Sequence, residues 1–487
     1  METGTIRTRI PARLDRLPWS RFHWRIVVGL GTVWILDGLE VNMVGAIAGR
    51  VGQSGSGVGI SAANVAGLAA SLYVAGACGG ALVFGQLTDR FGRRKLFMIT
   101  LGTYLLATVL TALSFAPLWF YVCRLLTGFG IGGEYSAINS AIDELIPAKH
   151  RGRVDIAING SYWAGAAGGA LVAIVALNTS IFAVNVGWRL CFALGAVLAL
   201  LILLVRRNVP ESPRWLFIHG REQQAERIVE GIEREVESET GRSLPEREDE
   251  ITVRQRRTVP LALIVRSVAT LYPRRTALGL CLFIGQALLY NAVSFGLGTL
   301  METYFGVSTG NTPYYLAVFA VGNLLGPLTL GRLFDTVGRR PLISGTYLAS
   351  ALLLAVVAVL FNGQVFTAAT MIIALAVVFF FASAGVSGAY LTVSEVFPME
   401  TRALCISVFY AVGTGLGGII GPLLFSHMIA SGKPSHVMIA FLVGAAVMAV
   451  GGVAELVFGV AAEGRSLESI AKPLTATDSA DAAPATT

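Results

Sequence analysis

About twelve apolar stretches, each long enough for a membrane-spanning helix, dominate this chain. They lie near 25–47, 63–86, 96–115, 118–142, 154–176, 188–206, 276–303, 313–333, 341–361, 364–395, 403–430 and 436–460. A helix needs roughly 20 apolar residues to cross the ~30 Å hydrocarbon core of a bilayer. Lipid offers the backbone no hydrogen-bond partner, so each stretch is restricted to helix. With 54% hydrophobic and 14% charged residues, the chain is too apolar for a soluble globular protein. The expectation is an all-α membrane protein with twelve transmembrane helices.

Charge then sets orientation. The formal net charge is +7, and the basic residues alternate between loops rather than gathering in a nucleic-acid patch. Arg7, Arg9, Arg13, Arg16, Arg21 and Arg25 precede or open the first span. Val51–Ala62 and Asn178–Gly187, on the opposite side, contain no Lys or Arg. The positive-inside rule therefore expects both termini in the cytoplasm of a cell-membrane protein, with no cleavable signal peptide. All five cysteines fall in apolar runs without metal-like spacing, so neither a metal nor a cofactor is expected.

Two motifs occur twice. Gly85-Gln-Leu-Thr-Asp89-Arg90-Phe-Gly92-Arg93-Arg94-Lys95 reads as a tight basic loop between two spans. Its weaker copy is Gly331-Arg-Leu-Phe-Asp335-Thr-Val-Gly338-Arg339-Arg340. Glu144, Pro147 and Arg151 recur as Glu395, Pro398 and Arg402. Two motifs repeated at nearly one offset mark a duplicated half, hence two six-helix bundles related by pseudo-two-fold symmetry. The expected divisions are a cytoplasmic N-terminal segment 1–24, a first bundle 25–206, a cytoplasmic linker 207–275 with amphipathic helices at the membrane surface, a second bundle 276–461, and a disordered cytoplasmic tail 462–487. The repeated acids and arginines, with Glu211 and Arg214 of Pro210-Glu-Ser-Pro-Arg214, are candidates for a conformational gate whose ion pairs form across the cytoplasmic mouth. Glu463-Gly-Arg-Ser is a faint counterpart of the Pro210 phrase.

Deep charges concentrate in the first half. Asp37 and Glu40 share one face of the first helix, and intramembrane acids default to function. Arg124 lies ~6 residues, or roughly 9 Å, inside the outer end of the fourth helix, and Glu40 sits at about the same depth. A buried arginine needs a partner, so a Glu40–Arg124 ion pair is expected, with Asp37 as the alternative. Glu134, nearer the inner end, is either a further proton site or a solvated end residue. The glycines after Arg124 thin the helix for the approach of a neighbour or a substrate; no strand precedes them, which argues against a dinucleotide fingerprint. Candidate substrate-binding residues are Asn42, Asn159, Tyr162 and Trp163 in the first half, and Gln286, Tyr290, Asn291, Asn323 and Tyr390 in the second.

Together these motifs resemble the major facilitator superfamily, and within it the sugar-porter-like group. The resemblance implies two bundles rocking about a central cavity, and an acid of the first helix paired with the arginine of the fourth for proton coupling, by position Glu40 and Arg124. Asp37-Gly-Leu-Glu40 is similar to the signature of aromatic-acid/proton symporters, and Gly132-Gly-Glu134-Tyr to metabolite/proton symporters. The function expected is secondary active transport of a small polar metabolite, a sugar or an organic acid, coupled to protons and carried out by a monomer. The alternatives are an uncoupled facilitator, an organic-anion or aromatic-acid symporter, and a non-transporting sensor. No nucleophile–base or metal constellation suggests an enzyme.

Overall fold

A computed structural model of the chain describes residues 2–206, 211–241, 243–245, 250–256, 266, 269–397, 402–463, 465 and 470–471. Pro210, Pro398 and the expected tail beyond 471 lie outside the described residues, as do the side chains of Asp89, Arg90, Arg93, Arg94, Glu144 and Arg402.

A strand β1 (Glu2–Thr8) and a short helix α1 (Ile10–Asp15) come first. The first bundle follows as α2 (Arg21–Val51), α3 (Ala70–Phe91, entered through a π-helical stretch Val65–Ala69), α4 (Arg93–Ala112), α5 (Pro117–Leu145), α6 (Ala148–Ala176) and α7 (Val184–Arg206). The linker holds α8 (Pro213–Ile218), α9 (Glu222–Thr240) and β2 (Ile251–Arg256). The second bundle is α10 (Pro273–Phe305), α11 (Thr312–Leu330), α12 (Arg339–Asn362), α13 (Ala368–Glu395), α14 (Arg402–Ala430) and α15 (Pro434–Phe458). Pro117, Pro273 and Pro434 stand at the first helical residue, where the missing N–H is an orphan in any case. Ten of these twelve long helices are apolar enough over their length to cross a bilayer, and α7 adds the shorter apolar stretch Val184–Leu200. Large apolar side chains stand exposed around the outside, among them Leu113, Leu118, Leu352 and Val457, where acyl chains would cover them.

The duplication is visible in the packing. In the first bundle α2 packs on α6 and α7, and α5 packs on α3 and α4. In the second, α10 packs on α14 and α15, and α13 on α11 and α12, the same pairs in the same order. The bundles meet along α3–α14 and α6–α11, which exchange under the two-fold, and along α2–α10.

Two expectations need correction, and one pairing was not expected. The Gly85–Lys95 segment is not a loop. Helix α3 runs to Phe91, Gly92 alone breaks it at φ +93°, and α4 starts at Arg93. In the second bundle a short helical turn, Leu333–Thr336, follows α11, and Gly338 then reverses the chain at φ +112° before α12. This backbone region is open almost only to glycine, which is why one residue suffices for the reversal. The linker helix α9 turns its apolar stripe to protein. Its apolar stripe of Ala225, Val229, Ile232 and Val236 is buried, and it packs against the N-terminal segment and α8. Finally, β1 pairs antiparallel with β2, from Glu2 opposite Arg256 to Thr8 opposite Ile251. Partners so far apart in sequence leave no local pattern to read.

Candidate functional site

A cavity of about 120 Å³ lies between the bundles. Its walls are largely aromatic. Trp34 of α2 meets Tyr162 of α6 and Tyr390 of α13 edge-on, with ring centroids 6.1 and 6.3 Å apart. Trp163 lies 5.6 Å from Tyr290. Tyr73, Phe295 and Tyr410 complete the rings. Between them stand the amides Asn159, Gln286 and Asn291 and the hydroxyls of Ser294, Ser383, Ser387 and Thr414. None of the lining residues is charged. Asn159 and Asn291 each donate Nδ2 to the carbonyl four residues earlier, at 2.9 Å, which fixes both amides.

Two candidates stand behind this wall rather than in it. Asn323 accepts the Tyr290 hydroxyl at 3.2 Å and donates to the Phe319 carbonyl, so it orients Tyr290 from outside. Asn42 donates to the Gly38 carbonyl at 3.0 Å and borders a separate small void between α2, α6, α10 and α11.

Beside the cavity lies a buried ion pair. Arg124 Nη1 is 2.9 Å from Glu40 Oε1, and both side chains are closed to solvent. Thr108 donates to the other Glu40 oxygen at 3.3 Å. The Arg124 guanidinium is stacked between two rings, 4.8 Å from the Tyr73 centroid and 5.7 Å from that of Phe192. Asp37, one turn before Glu40, is buried, and so is Glu134, which excludes the solvated end position for it. The α5 glycines serve neighbours rather than substrate. A Cβ on Gly128 or Gly132 would strike the α3 carbonyls of Tyr73 or Ala77.

At the end of the bundles where α1 and α8 dock, charged side chains alternate from one bundle to the other. The Arg153 amide donates to Asp335 Oδ2 at 2.9 Å, joining the two bundles. Asp335 lies 3.7 Å from Arg339, and Arg339 holds both Glu395 oxygens at 2.6 and 2.9 Å. Arg151 reaches Glu395 from the first bundle at 4.0 Å. Arg151 also donates to Asp15 of α1 at 3.4 Å, and Asp15 lies 3.7 Å from Arg214 of α8. The expected pairing across the mouth is thus corrected in part. Glu395 binds chiefly within its own bundle, and Arg340 turns outward to the Leu456 carbonyl of α15. Glu211 lies over the Gly92 turn, and Glu463 lies over the Gly338 turn in the same way. At the opposite end of the bundles, Glu302 of α10 rests on Gly49 of α2 and accepts from Thr312 at 3.2 Å.

The profile of the family described as "Sugar (and other) transporter" matches residues 24–473. The chain belongs to this family. Among relatives, the niacin transporter NiaP of Acinetobacter baylyi is 28% identical over 466 residues, covering 94% of this chain and 99% of that one. The putative metabolite transport protein YdjK of Escherichia coli is 26% identical, covering 94% and 96%. Among solved structures, the proton:xylose symporter XylE bound to 6-bromo-6-deoxy-D-glucose superposes with a TM-score of 0.73 at 21% identity, over 92% of this chain and 98% of that one. This transporter is therefore a multi-pass membrane protein of the major facilitator fold and not an enzyme.

The structure of this transporter also contains functional candidates that the sequence did not offer. Trp34, Tyr73, Ser383 and Tyr410 line the cavity. Tyr73 stands three residues before Gly76, on the small-residue face of α3, a spacing that would have found it. Asp15 and Glu302 carry no such signal, because their partners come from distant segments.

Proposed function

We propose that this transporter imports a small ring-bearing polar metabolite together with a proton, acting as a monomer with both termini in the cytoplasm. Glu40 takes the proton, Arg124 is its counter-ion, and Asp37 and Glu134 are further acids on the proton path. Asn159, Tyr162, Trp163, Gln286, Tyr290, Asn291 and Tyr390 bind substrate. The observation that carries this reading is the Glu40–Arg124 pair, shut from water beside an uncharged cavity. Such a pair is costly to bury and strongly destabilising to break by halves, so a protonation event on Glu40 has a large effect on its surroundings. A neutral carboxyl releases Arg124 from its partner and lets the first bundle relax, while the inner charge chain from Asp15 to Asp335 opens and closes the cytoplasmic mouth. Substrate binding and protonation then favour each other reciprocally.

Aromatic walls with interspersed amides and hydroxyls suit a flat or puckered ring carrying hydrogen-bonding groups. They fit nicotinate, suggested by the niacin transporter, and a pentose, suggested by XylE. A zwitterion with a quaternary ammonium such as carnitine, suggested by the Arabidopsis thaliana relative "Organic cation/carnitine transporter 7", would rest its cationic end on the ring faces. The test is internal acidification of proteoliposomes loaded with a pH dye, with nicotinate, D-xylose or L-carnitine added outside. One compound should acidify the lumen, and Glu40→Gln should abolish that signal while exchange of the labelled compound persists. Concentrative uptake by Glu40→Gln would overturn the proton role.

A further inference from the structure

Arg124 presents a problem that Glu40 only half solves. Its Nη1 is bonded to Glu40, but Nε and Nη2 are buried without a hydrogen-bond partner among the described residues. What covers them is aromatic: the Tyr73 face at 4.8 Å and the Phe192 face at 5.7 Å. A cation over a ring face is attracted by the ring quadrupole, and more strongly where water is excluded. When Glu40 takes a proton it no longer attracts the guanidinium as an anion, and these rings are what remains to hold it.

The two rings differ in what lies on their far side. Phe192 belongs to the interior of the first bundle, where it meets Phe120 and Trp188. Tyr73 is a wall of the substrate cavity. Its ring also meets Phe295 of the second bundle, with centroids 6.3 Å apart, so it spans the interface that must rearrange in transport. The hydroxyl is buried and has no hydrogen-bond partner among the described residues. The Tyr73 backbone lies against Gly128, four residues after Arg124 on α5, and a Cβ there would strike the Tyr73 carbonyl. Helices α3 and α5 are thus locked together where the ring meets the guanidinium.

Resting on the proton-coupling reading above, we propose that Tyr73 is the positioning residue that couples cavity occupancy to the Glu40–Arg124 pair. Substrate packed on the cavity side of the ring fixes the ring, and the ring fixes Arg124. The position of Arg124 in turn decides whether Glu40 keeps its ion-pair partner. The groups facing the pair from the packed elements are Asp37 on α2, Thr108 and Tyr104 on α4, and Tyr73 on α3. Of the aromatic residues among these, Tyr73 alone belongs to the cavity lining.

The test compares Tyr73→Phe, which keeps the ring, with Tyr73→Leu, which removes it. Tyr73→Met replaces the latter if it is not recovered as folded protein. Wild type, both variants and Glu40→Gln are reconstituted, and accumulation of nicotinate, D-xylose and L-carnitine is followed under an imposed pH gradient. Tyr73→Phe, whatever its rate, should stay coupled, with an accumulation ratio above one and the pH dependence of the wild type. Tyr73→Leu should equilibrate it, with an accumulation ratio near one, and its uptake should lose the pH dependence of the wild type. A merely structural role would lower the amount of active carrier without flattening the pH profile. Concentrative, pH-dependent uptake by Tyr73→Leu overturns the proposal, and so does a Tyr73→Phe variant as uncoupled as Tyr73→Leu. If Glu40→Gln still concentrates substrate, or the wild type concentrates none of the three, the proton reading fails and takes this one with it. If Glu40→Gln equilibrates while Tyr73→Leu concentrates, only the role of Tyr73 is lost.

Discussion

The two bundles are copies in their packing but not in their charge. Each enters its third helix through a glycine reversal with an acid over it, Glu211 in one half and Glu463 in the other. Each also carries a Glu-x-x-Pro phrase at the inner end of its fourth helix. Deep in the membrane the likeness stops. Adding the repeat offset to Arg124 gives 124 + 251 = 375, and residue 375 is a buried leucine. The difference has a physical reason. On the proposed reading, a gate needs a part on each bundle, because closure brings two surfaces together. A single protonatable pair would then be enough for coupling, and a second would add the desolvation of two more ions for no further gain.

Making the first half resemble the second is the strongest test of that asymmetry. Arg124→Leu leaves Glu40 buried and unpaired, a loss of about 3–5 kcal/mol that should lower the melting temperature and abolish accumulation. Adding Glu40→Gln should recover most of the stability, because no lone charge is left, yet should not recover accumulation. Thermal unfolding and uptake against a gradient separate these effects. An Arg124→Leu carrier that still concentrates substrate would mean that the halves do not differ in coupling.

The next comparison asks whether the two glycine turns do equal work. Both sit in a backbone region where a side chain costs about 1–3 kcal/mol of strain, so Gly92→Ala and Gly338→Ala should each slow transport. They should not do so equally. A Cβ at Gly92 would lie 2.7 Å from Glu211 Oε2, and at Gly338 it would lie 3.1 Å from Glu463 Oε1. The first substitution must displace its acid, and the second has a few tenths of an ångström more room. A roughly threefold greater loss of initial uptake rate for Gly92→Ala is expected, which is under 1 kcal/mol. Identical losses would show that strain alone matters and that the acids over the turns do not.

How much of this was legible in the chain follows from the range of each signal. The twelve spans rest on local hydropathy, and they agree with the helices to within a few residues at most ends. The Glu40–Arg124 pair follows from depth arithmetic on two helices crossing the same slab, a constraint that only a membrane supplies. Tyr290 and Tyr390 were found because a polar tip on an apolar helix is unusual, and Trp34 was missed because an aromatic residue in such a helix is not. The β1–β2 ribbon and Asp15 could not be read, since each depends on a partner more than a hundred residues away. Arg340 was misplaced for a related reason. Sequence shows that a basic residue stands at a helix start but not which way it turns.

The N-terminal segment adds an asymmetry of its own, because its half-buried Asp15 pairs with Arg151 of the first bundle. Arg13 lies 2.5 Å from both Glu226 and Glu233, and Arg16 lies 2.6 Å from Glu233. Burial opposes ionisation of Glu233, but the hydrogen bonds from Arg13 and Arg16 outweigh it and hold its carboxyl below the usual carboxylate range. A depressed folded value means that this attachment is fully present above the ordinary pKa of 4.5 and is lost as the pH falls through the folded value. Hydrogen exchange of the α1 amides should therefore stay slow from neutral pH down to that range and rise below it, after correction for the intrinsic rate. Asp15→Asn removes the charge between Arg151 and Arg214 without touching Glu233. Partly exposed pairs contribute about 0.2–1 kcal/mol, so exchange at the start of α14, on the inner mouth, should rise by only about two- to fivefold. If Asp15→Asn leaves those amides unchanged while acid still frees α1, the segment clamps the linker alone. The inner gate would then belong to the two bundles and remain as symmetric as their sequences.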